Sequence, residues 1–124
     1  MHVTLLEPCS KFRYRVVPKL KKSNLDLEDL LAINTSKFKF DLVEKEIQWK
    51  IRYTVNKEMK EILETVIKGG LNIIEVQLLN KKNMSVLSSY NFKNLTCISA
   101  ETDLDYGVKE PVIFDLKFQF KSYN

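Results

Sequence analysis

The sequence predicts a mainly β protein: a β-barrel or two-sheet sandwich of six to seven antiparallel strands with one flanking α-helix. Three observations predict it. Short segments along the whole chain alternate apolar and polar residues with a period of two, the pattern of a half-buried strand. A single segment, NKEMKEILETVIKGG, changes clearly to the helical period. The connections in the second half are of hairpin length, and only three glycines and three prolines occur in 124 residues, too few for a long flexible linker. One domain over residues 1–124 is expected from this length.

The first strand is KFRYRVV at 11–17, with Phe12, Tyr14 and Val16 on one face and Lys11, Arg13 and Arg15 on the other. Pro18 is expected to end it, because proline removes a ladder donor. Residues 19–36 are open between one short helix, with Leu27, Leu30 and Leu31 at helical spacing and Ser23 or Asn24 as cap, and an extended loop. KFKFDL at 37–42 alternates again, Glu44-Lys45-Glu46 makes a charged turn, and IQWKIRYTV at 47–55 alternates most strongly in the first half. There Ile47, Trp49, Ile51, Tyr53 and Val55 share the apolar face. The helix follows, with Asn56 as N-cap, Met59, Ile62, Leu63, Val66 and Ile67 as its stripe, and Gly69 to close it in the left-handed conformation. LNIIEVQLL at 71–79, the turn NKKN at 80–83, and VLSSYNF at 86–92 read as a hairpin; TCISAE at 96–101 is a further short strand. After the turn around Leu104-Asp105-Tyr106-Gly107, residues 111–121 form the last strand, with Val112, Phe114, Leu116, Phe118 and Phe120 on one side. A sheet with one apolar face must cover itself with a second layer or curl closed.

Composition narrows the function classes. The net charge of +4, from 20 basic and 16 acidic side chains, is a mild excess that serves solubility. Two cysteines, Cys9 and Cys97, and a single histidine, His2, cannot supply a structural zinc site, which takes about four such ligands. The cysteines are expected to be reduced thiols of an intracellular protein. No basic head with a long apolar stretch opens the chain, and no run of apolar residues reaches the length of a membrane span. The glycosylation-like triplets at Asn34, Asn83 and Asn94 are read as chance. No cofactor is expected.

Catalytic equipment is sparse. Asp103 and Asp105 are two apart with Glu101 nearby, but in an exposed turn such carboxylates stay solvated and ordinary. No glycine-rich loop precedes a helix. KFRYR, KFKF, KIRY and KFQFK interleave aromatic with basic residues, as binders of single-stranded nucleic acid do. Period two, however, turns the aromatics to the apolar face and the bases away from it. A basic single-stranded nucleic-acid-binding barrel is thus the alternative to a self-assembling structural protein, and an enzyme is not expected.

From the helix onward the chain resembles the tail tube proteins of contractile-tailed bacteriophages and related injection machines. The resemblance runs through KEMKEILETVIKG, IIEVQLLNKKNMSVLSSYNFKN with its closing Phe92-Lys93-Asn94, LTCISAET, the turn DLDYG, and a Glu-Pro followed by VIFDLKFQFKSY; SKFRYRVV is similar to the family's first strand. It implies a virion structural protein that self-assembles into stacked hexameric rings, with sheath and baseplate proteins as further partners, passing DNA without chemistry and without a membrane. Assembly in the cytoplasm of a bacterial host and residence in the phage tail follow from it. Members of the same fold also serve as tube-initiating baseplate or neck components and as secretion-system tubes. The polar residues facing the channel would be Lys50, Arg52 and Thr54, or Asp115, Lys117 and Gln119. The segment Lys19–Asn34, with Leu25, Leu27 and Leu30, and the turn with Asp103, Asp105 and Tyr106 would touch neighbouring subunits.

Overall fold

The structure, a computed structural model, describes residues 13–104, 107 and 111–124. In chain order its elements are β1 (Arg13–Leu20), α1 (Leu25–Ile33), β2 (Thr35–Asp41), β3 (Glu46–Arg52), α2 (Lys57–Ile67), β4 (Leu71–Leu79), β5 (Val86–Lys93), β6 (Thr96–Thr102), β7 (Ile113–Gln119) and β8 (Ser122–Tyr123). They form two four-stranded antiparallel sheets, a first in the order β1-β4-β5-β8 and a second in the order β2-β3-β7-β6. Among the described residues no ladder joins the two, so of the two architectures the period-two pattern allows, the sandwich is the one adopted.

The inner faces meet through aromatic rings. Phe92 of the first sheet lies with its ring centroid 5.0 Å from Phe40 and 6.5 Å from Phe38 of the second, and 4.7 Å from Phe120. Trp49 is fully buried, with Phe38 edge-on to it, and its indole N–H donates to the Thr35 hydroxyl at 2.9 Å. A buried indole donor needs such a partner, since an unpaired one costs about 1–3 kcal/mol. Ile47, Ile51, Leu116 and Phe118 complete the second sheet's inner face, and Val16, Leu20, Ile74 and Val76 the first sheet's.

Both helices cover apolar surface that the sheets leave open. Helix α2 buries Met59, Ile62, Leu63 and Val66 in the core, with Ile67 at its margin. Asn56 caps it, its side-chain oxygen accepting from the Met59 N–H at 2.7 Å. Gly69 closes it at φ +95, and Gly70 packs so tightly on Thr65 that a Cβ there would lie 2.7 Å from the Thr65 carbonyl oxygen. Helix α1, capped by Asn24, settles the open segment 19–36: Leu31 is buried and Leu27 and Leu30 pack against the core. From α1 the buried Glu28 carboxylate accepts the Leu20 N–H at 2.9 Å, so the helix caps the last donor of β1.

Four details depart from the alternation pattern, each for a local reason. β1 does not stop at Pro18 but continues to Leu20, with Pro18 opposite Ile74. As an edge strand with a partner on one side only, β1 tolerates a residue that lacks a donor. β3 ends at Arg52, and Val55, expected on the apolar face, is 94% exposed in the turn before α2. In β4 a register shift between Leu78 and Leu79 buries Leu79 and leaves Leu78 half-buried, reversing the strict alternation there. The last segment divides: β7 belongs to the second sheet, and β8 crosses to pair with β5 of the first. Phe120 marks the crossing, its side chain buried against Phe92 and its N–H donating to the Lys45 carbonyl at 3.1 Å.

The hairpin turns use asparagine, aspartate and left-handed residues. Asp41 Oδ1 accepts the N–H groups of Val43 and Glu44, and Lys45 follows at φ 57. Asn80 Oδ1 accepts from Lys82, and Met84 follows at φ 61. Replacing Lys45 by glycine is expected to raise the unfolding free energy by about 0.5–1 kcal/mol in a urea titration, because a side chain at positive φ is strained. Gly70→Ala is expected to lower it by about 1–3 kcal/mol, since a backbone carbonyl cannot retreat from the added methyl.

Candidate functional site

The second sheet shows its polar outer face as three cross-strand rows. Lys37, Lys50, Asp115 and Glu101 form the first; Lys39, Gln48, Lys117 and Ser99 the second; Asp41, Glu46, Gln119 and Thr96 the third. The two candidate channel-facing sets are therefore one surface. Lys50 lies opposite Asp115, and Lys117 and Gln119 lie opposite Gln48 and Glu46. Arg52 closes the face beside Ile113, with a guanidinium N–H donating to the Ile33 carbonyl at 3.3 Å. Thr54 lies beyond the end of β3, half-buried, outside the ladder.

Across this face the best-formed contact is Gln48 to Asp115: the amide nitrogen reaches both carboxylate oxygens, at 3.1 and 2.9 Å. Among the described residues the only ion pair closer than 4.0 Å is Lys19–Glu75, on the first sheet. The lysines and carboxylates of the second sheet are thus paired by register without forming close ion pairs.

The edges are as distinctive as the face. Among the described residues no strand pairs with the outer side of β2 or β6, so both seven-residue edges of the second sheet are unpaired, although helix α2 approaches β6. The first sheet is better covered. Helix α1 packs along β1 and caps its end, and β8 pairs with Phe92 and Lys93 of β5.

The candidate neighbour-contacting residues separate. Leu25 is 71% exposed on α1, whereas Leu27 and Leu30 face the core and contribute to this subunit's own packing. Asp103 is exposed just past β6; Asp105 and Tyr106 lie outside the described residues. Most aromatics that alternate with basic residues are turned inward: Trp49 and Phe118 are buried, and Phe38, Phe40 and Tyr53 pack on the core, whereas Tyr14 of KFRYR is 45% exposed. One exposed ring falls short of the series of stacking aromatics on which single-strand binders rely. Cys97 is a half-buried free thiol on β6 whose burial pushes its pKa up, away from the reactive thiolate. Lys37 and Lys39 were not singled out by sequence, and Glu101 was named only as a carboxylate near Asp103 and Asp105. Their outward direction was readable from the alternation of KFKFDL and TCISAE, but their position on the two open edges was not.

No family model and no curated protein matches the sequence. Solved structures match in fold. A chain of the tube-terminating cap of the anti-feeding prophage matches at 15% identity and TM-score 0.60, covering 100% of this chain and 94% of that one. An Hcp protein matches at 10% identity and TM-score 0.59, covering 89% and 88%. A chain of the sheath–tube complex of PVC, an extracellular contractile injection system, matches at 11% identity and TM-score 0.58, covering 100% and 97%. The fold is that of the tail-tube proteins. It spans nearly the full length of the chains it matches, including β1 and α1 as well as the part from α2 onward.

A double-mutant cycle on Gln48→Ala and Asp115→Ala is expected to give a coupling of about 1 kcal/mol in urea unfolding, as a half-buried hydrogen bond to a charged group should. A coupling near zero would mean that the contact does not tie β3 to β7.

Proposed function

We propose that the chain is one tube-like structural domain, a subunit of a contractile tail or injection tube. Its copies assemble into hexameric rings that stack into a channel for DNA or another cargo. The observation that supports this reading best is the second sheet, with two open edges and a polar outer face, in a fold shared with tube and tube-cap chains.

Strand direction fits such a ring. Every neighbouring pair in β2-β3-β7-β6 is antiparallel, so β2 and β6 run in opposite directions. Copies related by rotation about an axis along the strands keep their directions. β6 of one copy then meets β2 of the next antiparallel, and the ladder continues. The contact is head-to-tail and closes only as a ring. Six copies of a four-stranded sheet exceed the roughly 16–18 strands at which a barrel already leaves an aqueous channel.

In that ring the outer face, with Lys50, Arg52, Asp115, Lys117 and Gln119, lines the channel, and the charges of both signs offer a passing polymer no single sticky field. Leu25 and Asp103 remain as contacts to neighbours. No residue performs chemistry. Sheath and baseplate proteins are the partners of such a tube, which is assembled in a bacterial cytoplasm and carried in a phage tail or a related machine. A station at the tube's end is the second reading, favoured by the match to a tube-terminating cap.

Negative-stain electron microscopy of the purified chain tests the reading. Six-fold rings that stack into tubes are expected; single rings or short stacks would favour the end station. A strictly monomeric species at high concentration would overturn both. Salt-sensitive binding of single-stranded nucleic acid without assembly would replace them with the nucleic-acid reading.

A further inference from the structure

The charges on the outer face of the second sheet are arranged unfavourably for an isolated subunit. In the first row Lys37 is directly opposite Lys50, Lys50 opposite Asp115, and Asp115 opposite Glu101. The sequence of signs is plus, plus, minus, minus. Like charges directly opposite on a sheet destabilise it. Among the described residues, the two outermost, Lys37 on β2 and Glu101 on β6, have a like charge as their only ladder neighbour. The next outward residue along β2 is Lys39, and the next acidic residue along the chain after β6 is Asp103.

One edge is therefore basic, the other acidic, and neither is neutralised within the row it ends. We propose that these four residues are the code by which copies of this chain recognise one another. Glu101 of one copy lies opposite Lys37 of the next; antiparallel pairing then sets Lys39 opposite Ser99 and Asp103 at the Thr35 end of β2, so Lys39 and Asp103 act as diagonal neighbours of the Glu101–Lys37 pair. The inference rests on the ring reading and adds to it the residues that choose the partner edge. Ring closure turns the row into plus, plus, minus, minus repeated without a break, so each outermost charge gains an opposite neighbour. Pairing β2 with β2 or β6 with β6 sets like charges together and is rejected, which rules out a two-fold dimer through either edge. Complementary charge works here as it does at other interfaces, by suppressing wrong partners.

The test exchanges charges on the full chain. K37E/K39E and E101K/D103K are each expected to raise the critical concentration for assembly about tenfold or more. As monomers both are expected to melt no lower than the unsubstituted chain, because each removes a like-charged pair, with Lys50 or with Asp115. A 1:1 mixture of the two is expected to assemble, since every junction then joins opposite charges, and only as alternating rings of even number. The quadruple variant is expected to assemble alone. K57E/K60E, on the exposed side of α2, changes net charge equally and is expected to assemble like the unsubstituted chain.

Assembly of either charge-reversed variant alone at the unsubstituted concentration overturns the proposal. So does failure of both the mixture and the quadruple variant, or loss of assembly in K57E/K60E. A lower melting temperature of either monomer contradicts the like-charge argument and overturns it as well. Failure of the unsubstituted chain to assemble overturns the ring reading itself, and so is told apart from a wrong pairing code.

Discussion

Everything in this molecule depends on the contact of the two inner sheet faces around Phe92. Its ring touches Phe38 and Phe40 from β2, Tyr90 beside it on β5, and Phe120 and Tyr123 from the chain's end. A buried aromatic of this size contributes several kilocalories, and truncating one in a core costs about 3–5 kcal/mol. That contact consumes the apolar side of every long strand. What remains outside is polar face and backbone edge, so any larger structure built by this chain has to use those two.

The two sheets divide the work. The first spends its edges inside the subunit: α1 packs on β1 and supplies the Glu28 carboxylate to its last donor, while β8 returns to β5. Its outer face carries a linked polar set, Arg15 to Gln77 to Glu75, with Lys19 paired to Glu75. Such exposed pairs are worth little to stability, about 0–1 kcal/mol, and they leave that surface internally satisfied. Among the described residues the second sheet has no strand paired to either edge, and its charges are grouped by sign at those edges. An open edge is an aggregation risk that proteins usually blunt. Here the charges restrict what can add to it, and opposite signs at the two ends admit a copy of the same sheet in one orientation.

Strand parity is the less visible part of the design. With an even number of antiparallel strands, the two edges run in opposite directions, so rotation about the strand axis continues the antiparallel pattern. The split of the last segment at Phe120 leaves that parity unchanged in the second sheet and creates it in the first. It assigns β7 to the second sheet and sends β8 to the first, giving each four strands. If the segment ran on as one strand of the second sheet, β5 would lose the partner that β8 provides.

The sequence by itself determined which segments are strands and which side of each is buried. Period two in KFKFDL, IQWKIR and VIFDLKFQF is a local property, and the burial of Trp49, Leu116 and Phe118 follows it. The caps at Asn56 and Gly69 were legible for the same reason, since capping is chemistry within one turn. The resemblance to tail tube proteins was legible from strand order and turn placement, and the fold comparisons agree with it. Tertiary structure alone decided what depends on which strand lies next to which. It carried β1 through Pro18 because among the described residues no strand pairs with the far side of β1, chose a helix for 25–33 because β1 and the core receive Leu31, and merged the two candidate channel sets, Thr54 apart, into one face. It also placed Lys37 and Glu101 at opposite rims. Side-chain direction is set by the residue's own backbone, but edge position and cross-strand register are long-range pairings, and no local pattern encodes them.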